Sequence, residues 1–384
     1  MKLHLNSKTL TDTLGKLAQV IDSNPIVPIL ECYLISADAH ADAISIVATN
    51  LSQTLTATVP LVGHYPTAAV QVCIPAKLLL DTLKALPDQP IVLQADSEAT
   101  SIHIITANGN YNIATDNPLD YPKTNAAAIG EVAGLLQAAD MATAIKLTKI
   151  TVSKDQLRPA MTGVSFIVND MSTTFAASDG NVLNQIQFNN MAFNDNANVI
   201  IPAKTMNVLA GILTDDEVNI HTDGKSITFG TSGMLLTSKL IDERFPNLEN
   251  IFPQPLFDLC LQRITLSECI KRVMNFANET TQQIELSITD HGLVISASDI
   301  NYGHEAAETI ECKIDNHTYS PKETEGFKIG FNAKFLLKML SVLSTDALRL
   351  CVTTPTKPVL IHHDTPIGTN YTGLIMPVTL PTYH

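Results

Sequence analysis

A chain of 384 residues with 45% hydrophobic and 16% charged side chains can bury a real core, which excludes disordered, collagen-like and coiled-coil classes. Thirty-eight acidic residues against 24 basic ones leave a formal charge of −14, so the surface as a whole does not adhere to nucleic acid. At roughly 150 residues per domain the length predicts two or three domains.

In chain order, the first element is an amphipathic helix over 7 to 21, ahead of the strand-like run ISIVATNLSQTL. A second helix follows at 76 to 86, then the alternating runs IVLQAD, SIHIIT and YNIAT. The same order returns twice. Helices at about 138 to 151 and 265 to 277 precede TTFAASDGNVLN and LVISASDINYGH. Helices at 202 to 213 and 332 to 343 then precede VNIHTD, SITFGT and LLTSKL, and LRLCVTT, VLIHHD and TGLIMPV. The anchor of the repeat is the Ala-Lys pair at 76, 203 and 333, spaced by 127 and 130 residues. Counted from it, Leu79, Leu83 and Leu86, then Met206, Ala210 and Leu213, then Leu336, Leu340 and Leu343 form one apolar stripe per helix. Pro75, Pro202 and Asn332 suit the helix entries. Pro, Asn and Asp gather near 124 and near 253, giving boundaries of 1 to 124, 125 to 253 and 254 to 384. A repeat of this size folds by itself, unlike the unit of a solenoid. Paired helices with antiparallel strands give an α+β class, three modules in tandem.

Each of the six helices is net positive within this acidic chain. The cations are Lys8 and Lys16; Lys77 and Lys84; Lys146 and Lys149; Lys204; Lys271 and Arg272; and Lys334 and Lys338. If these helices line a concave surface, a polyanion meets lysines only there, through phosphate contacts that carry no base information.

No catalytic constellation emerges. DGKSI at 223 to 227 ends like a phosphate loop, but the pattern requires glycine at 219 and finds Asn219. His362 and His363 are adjacent on a strand and face opposite sides. Six separated cysteines without a CxxC pair read as buried thiols, and neither cofactor nor metal is expected. The first 21 residues lack an apolar signal core and no later run reaches membrane-spanning length, so a cytoplasmic protein with no membrane partner is expected.

With these observations the whole chain resembles the bacterial DNA sliding clamp family, the beta subunit of DNA polymerase III. The likeness is carried by MKLHLNSKTL, NPIVPILECYLI, ATNLSQTL, IPAKLLLDTLKALP, DYP, AASDGNVL, LTSKLIDERFPN, IGFNAKFLLKML and LIMPVTL, in order from residue 1 to about 380. The resemblance implies three tandem copies of a DNA-clamp domain, helices inside and antiparallel sheets outside, closed as a homodimer into a six-domain ring. It implies a non-catalytic processivity factor whose partners are double-stranded DNA without sequence preference, the replicative polymerase alpha subunit, a clamp loader and other clamp-motif proteins. The alternative is a diverged clamp-like scaffold that binds partner peptides without productive DNA loading.

Residue by residue, the resemblance implies a partner-peptide groove of Met161, Ser178, Gly180, Asn181, Val182, Leu183, Pro246, Asn250, Ile251, Leu374, Met376, Pro377 and Val378. Asn181-Val182 stands where the family commonly has His-Arg, and Asn250 where it often has Arg, so a less basic rim favouring less acidic peptides is expected. The implied DNA contacts are the helix cations with Lys154 and Arg158, while Asn24 and Pro159-Ala160 depart from the family pattern. The implied dimer contact brings Tyr111 and Ile113 to Asn275 and Phe276, with Asn275 replacing a usually apolar residue. The PTYH tail extends beyond the usual terminus.

Overall fold

The computed structural model describes residues 2–63, 66–95, 100–123, 132–189, 192–214, 216–248, 251–316 and 326–380. Each third opens on a strand, Lys2–Asn6, Val132–Gln137 or Phe257–Gln262, that the periodicity does not predict; the expected order of helix, strands, helix, strands follows it, with helices shorter than predicted. The first third holds β1 (Lys2–Asn6), α1 (Ser7–Leu17), β2 (Cys32–Ala37), β3 (Ala43–Thr49), β4 (Gln53–Pro60), β5 (Val70–Pro75), α2 (Ala76–Lys84), β6 (Pro90–Ala95), β7 (Ser101–Ile105) and β8 (Asn110–Ala114). The second holds β9 (Val132–Gln137), α3 (Ala138–Lys149), β10 (Gly163–Asn169), β11 (Ser172–Ser178), β12 (Val182–Asn189), β13 (Ala192–Phe193), β14 (Ala197–Pro202), α4 (Ala203–Ile212), β15 (Glu217–Thr222), β16 (Ser226–Thr231) and β17 (Met234–Lys239). The third holds β18 (Phe257–Gln262), α5 (Arg263–Val273), β19 (Gln283–Thr289), β20 (Gly292–Asp299), β21 (His304–Ile310), β22 (Lys313–Asn316), β23 (Lys328–Asn332), α6 (Ala333–Leu340), β24 (Ala347–Val352), β25 (Val359–His363) and β26 (Thr369–Ile375).

The local chemistry repeats with the sequence. Asn6 and Asn332 cap α1 and α6 by accepting from the N–H groups of Thr9 (3.0 Å) and Phe335 (3.2 Å). The turns after β3, β11 and β20 close on Asn50, Asp179 and Asp299, whose side-chain oxygens accept backbone N–H groups two residues on. Strand alternation buries one face, as in β19, where Ile284, Leu286 and Ile288 point inward.

Two compact units emerge from the contacts. One comprises Met1–Ala142, Ala192–Asp195 and Lys204–Leu240; the other comprises Thr143–Met191, Asn196–Ala203 and Ile241–His384. In the first unit, β13-β9-β15-β16-β17-β4-β3-β2-β5 form one sheet and β1-β6-β7-β8 another. In the second, β14-β10-β11-β12-β26-β25-β24-β18-β22 form one sheet and β21-β20-β19-β23 another. A single rule generates these orders. Every third makes two ladders, both four-stranded in the first third and one of four and one of five strands in the second and third, and the ladder ending in β4 or β12 joins the ladder of the following third through β17 or β26, antiparallel in both cases. Under that rule β21 and β8 are the equivalent strands that, among the described residues, have no neighbour on one side.

The helices pack on these sheets and in pairs, α1 on α2 and α5 on α6. Leu10, Leu14, Leu17, Leu79 and Leu83 are buried in the first unit, each worth about 1.5–3 kcal/mol when fully removed from water. The expected stripe needs correction in α4. Ala210 is exposed and Leu213 only partly covered, while Thr205, Met206, Val208, Leu209 and Ile212 are buried. The helix is turned because Thr205 serves a polar cluster: its hydroxyl accepts from Gln53 Nε2 at 2.7 Å and shares a hydrogen bond of 2.7 Å with Ser238 Oγ.

Candidate functional site

A groove in the second unit starts from the turn between β11 and β12. Asp179 Oδ1 accepts from the N–H groups of Asn181 (2.9 Å) and Val182 (3.0 Å), and Ser178 Oγ donates to Val182 O at 2.9 Å. Gly180 supplies the positive φ of 92° that this turn needs. The turn delivers Val182 and Leu183 into the β12–β26 ladder, where they pair with Ile375 and Leu374. Beyond the ladder, Met376 N–H donates to Asn181 O at 2.8 Å. Beneath lies a buried apolar floor of Ala176, Leu183, Leu248, Cys351, Leu360 and Leu374, with Phe245, Ile251 and Phe252 packed on it.

The resulting cavity is about 180 Å³ and is lined by Met161, Ser178, Gly180, Asn181, Val182, Leu183, Phe245, Pro246, Leu248, Ile251, Leu374 and Met376. Ten of the thirteen residues expected by resemblance are therefore brought together here. Pro377 and Val378 lie outside the lining; Val378 instead donates its N–H to Gly330 O at 2.9 Å. Asn250 and the PTYH tail lie outside the described residues. Phe245 and Leu248 were missed, because their segment is rich in Pro and Asn and reads as a linker. Its signal was present: two large apolar residues three apart in a chain that should be solvated. Arg158, expected at DNA, also reaches this place: its Nη1 stands 3.3 Å from where a Cβ on Gly180 would be.

The cations divide. Lys8, Lys77, Lys84, Lys146, Lys149, Lys154, Lys271 and Lys334 are exposed and Lys16 is half-buried, none in an ion pair among the described residues. Four others hold carboxylates. Lys204 pairs with Asp22, Arg272 grips Glu308 through two nitrogens (2.6 and 2.9 Å), Arg158 lies 3.9 Å from Asp155, and Lys338 lies 3.6 Å from Asp179. The guanidinium of Arg272 holds the Glu308 carboxyl below the usual carboxylate range. These four are partly neutralised and less available to a phosphate.

Tyr111 and Phe276 are 41% and 42% exposed. Tyr111 stands on the terminal strand β8 with its ring over Gly109, and Phe276 in the single 3₁₀ turn that follows α5. Asn275 is exposed beside it. Ile113 is different. Only 3% exposed, it faces the core of its own sheet, and its expected contact would reach a partner through the backbone alone.

The thiols offer no nucleophile. Burial pushes Cys73 and Cys312 up to about 12 and Cys269 to about 11, and raises Cys32, Cys260 and Cys351 as well. Desolvation lowers His362 and His363, whose Nδ1–H groups donate to Tyr371 O (3.1 Å) and Asp364 O (2.8 Å). Among the described residues no three His, Cys, Asp or Glu converge as metal ligands, and no helix is long and apolar enough to cross a membrane.

Three domain models of the DNA polymerase III beta subunit match the chain in succession: the N-terminal domain over 1–125, the central domain over 135–247 and the C-terminal domain over 251–379. The chain belongs to this family. It is a DNA sliding clamp of three tandem α+β domains and a non-catalytic subunit, and membership does not favour the scaffold alternative. Curated beta sliding clamps resemble it throughout their length. That of Synechococcus elongatus is 25% identical over 99% of this chain and 100% of its own, and that of Rickettsia felis 26% over 94% and 95%. In fold, the Pseudomonas aeruginosa clamp bound to griselimycin superposes with a TM-score of 0.90 at 23% identity, covering 99% of this chain and 100% of its own. The Bacillus subtilis clamp gives 0.88 at 22%, with the same coverage.

Proposed function

We propose that two copies of this chain close head to tail into a six-domain ring around duplex DNA. In this reading each copy contributes three domains, 1 to 124, 125 to 253 and 254 to 384. The observation that carries the proposal is the strand-joining rule. β4 joins β17 and β12 joins β26, so β21 and β8 are the positions where the same antiparallel join comes next, and a second copy supplies the missing partner to each. Tyr111 and Phe276 are the exposed aromatics that such a join covers, with Asn275 beside them and Ile113 supporting β8 from within.

Enclosure explains how an acidic protein stays on DNA. The exposed, unpaired lysines of the five helices other than α4 face phosphates in the bore, and contacts to phosphate have no register, so the ring slides. The apolar groove at the β12–β26 join receives short peptides of the polymerase alpha subunit, a clamp loader and other clamp-motif proteins in the cytoplasm, as a concave apolar site with a few polar groups at its rim suits. Loading onto a nicked circular plasmid tests the function. Retention on the circle and release after linearisation is the expected result; equal retention on both forms rejects enclosure.

A further inference from the structure

We propose that Gly330 in β23 and Lys338 in α6 are positioning residues for the groove, an inference that rests on the peptide-groove reading. Neither lip of the groove belongs to regular structure. One is the turn 179 to 181 between β11 and β12, and the other is the segment that leaves β26 at Met376. Both are tied to the same strand–helix element.

Gly330 holds the second lip. β23 is the terminal strand of its sheet, and Val378 bridges to it through the bond from Val378 N–H to Gly330 O. A Cβ at position 330 would stand 2.7 Å from Val378 O, 2.8 Å from Leu380 Cδ2 and 3.1 Å from Val378 Cγ2. Two of these contacts are closer than real Cβ atoms come, and the nearest is backbone, so any side chain must push the segment away. Met376, two residues before Val378, would move with it, and with it one wall of the cavity and the link to Asn181 O.

Lys338 holds the first lip. Its ammonium lies 3.6 Å from Asp179 Oδ2, with side chains 36% and 16% exposed, while Asp179 Oδ1 accepts the N–H groups of Asn181 and Val182. Lys338 therefore offsets the charge of the carboxylate that shapes the turn. β23 runs directly into α6 through the Asn332 cap, so Gly330 and Lys338 stand on one continuous strand–helix element that contacts both lips.

The test uses the full-length chain and a fluorescein-labelled peptide carrying leucine and phenylalanine anchors. Gly330→Ala is expected to weaken peptide binding roughly tenfold to a hundredfold, the penalty of an overpacked contact. The ¹³C-methyl resonance of Met376 should shift while duplex binding stays as in the parent. Lys338→Glu sets two carboxylates against each other and should weaken the peptide about tenfold, with Lys338→Arg restoring it. Met376→Ala, a direct wall variant, separates the two levels of the argument. If it weakens the peptide while Gly330→Ala and Lys338→Glu do not, the positioning roles are overturned and the groove stands. If none of the three changes binding, the groove reading falls first. Should Gly330→Ala fail to fold, the Lys338 pair decides: loss in Glu with rescue in Arg supports the proposal, and loss in both rejects it.

Discussion

Tyr371 donates its hydroxyl to Asn184 Oδ1 at 2.7 Å across the β12–β26 ladder, and both residues are buried. Asn184 passes the link onward, donating Nδ2 to Leu147 O at 2.7 Å. The two strands come from successive thirds of the chain, so this buried pair ties the repeat together beneath the groove. Tyr371→Phe leaves the carbonyl of Asn184 without its donor, and Asn184→Ala leaves both Tyr371 and Leu147 unsatisfied. Each is expected to destabilise the protein by about 1–3 kcal/mol, with Asn184→Ala the worse. Urea unfolding followed by circular dichroism measures this; two midpoints equal to the parent would show that water replaces the bond.

Arg158 changes the expectation for the groove rim. Asn181 and Val182 stand where the family resemblance implies basic residues, which suggests tolerance of less acidic peptides. The structure brings the Arg158 guanidinium over Gly180, at that same rim. Arg158→Gln should therefore abolish whatever preference the groove has for acid-flanked peptides, by about 0.2–1 kcal/mol for an exposed pair. Paired titrations with neutral and acid-flanked versions of one peptide read the effect. An unchanged ratio would place Arg158 outside recognition.

What was legible in the sequence followed from periodicity and what was not followed from tertiary contacts. The helices and ladders appear because alternation and the 3.6-residue stripe are local. The stripe of α4 misled because Thr205 is polar by letter yet buried by its bonds to Gln53 and Ser238, far off in sequence. Phe245 and Leu248 hid in a segment with turn composition, and no local pattern tells a linker from a chain that docks on a sheet. Ile113 and Tyr111 lie two apart on one strand, so they share a face in a flat ladder, yet one is buried and the other exposed at the terminal edge. The paired cations were equally hidden, since Lys338 and Asp179 are 159 positions apart.

His362 and His363 make stability depend on pH. Burial first, with Arg349 acting on His362 and Arg263 on His363, depresses both imidazoles below 6.5; Asp258 and Asp364 and the two backbone carbonyls oppose it. The unfolded chain therefore binds protons more readily, and the contribution is complete above pH 6.5 and lost as pH falls through the depressed folded values. The melting temperature should drop between pH 7 and pH 5, and the drop should shrink in His362→Gln/His363→Gln. An equal drop in both proteins would assign it to carboxylates.

The exposed lysines should determine how binding to a closed circle responds to salt. Each phosphate neutralised contributes about 0.9 to the slope of log affinity against log salt. Lys77→Gln/Lys84→Gln removes two unpaired cations of α2, so the slope should fall by up to about 2 for any sequence of duplex. Lys204→Gln and Arg272→Gln should change it less, because Asp22 and Glu308 already hold those charges. A slope indifferent to the α2 lysines would remove that helix from the bore.

Ring closure can be broken without touching a core. Ile113 is unsuitable for this because it is buried in its own sheet, and a charge there would unfold the chain before it opened a ring. Tyr111 and Phe276 are already exposed in the single chain, so Tyr111→Asp and Phe276→Asp cost the isolated copy little. In the closed dimer each would bury a carboxylate where an aromatic ring belongs, a loss of about 2 kcal/mol or more at each of two joins. The proposed backbone bonds between β8 and β21 would remain available, so the variants should dissociate at low concentration and reassociate as it rises. Sedimentation velocity across a dilution series reads this directly. Parent and variants of identical mass at every concentration would show that these strands do not meet.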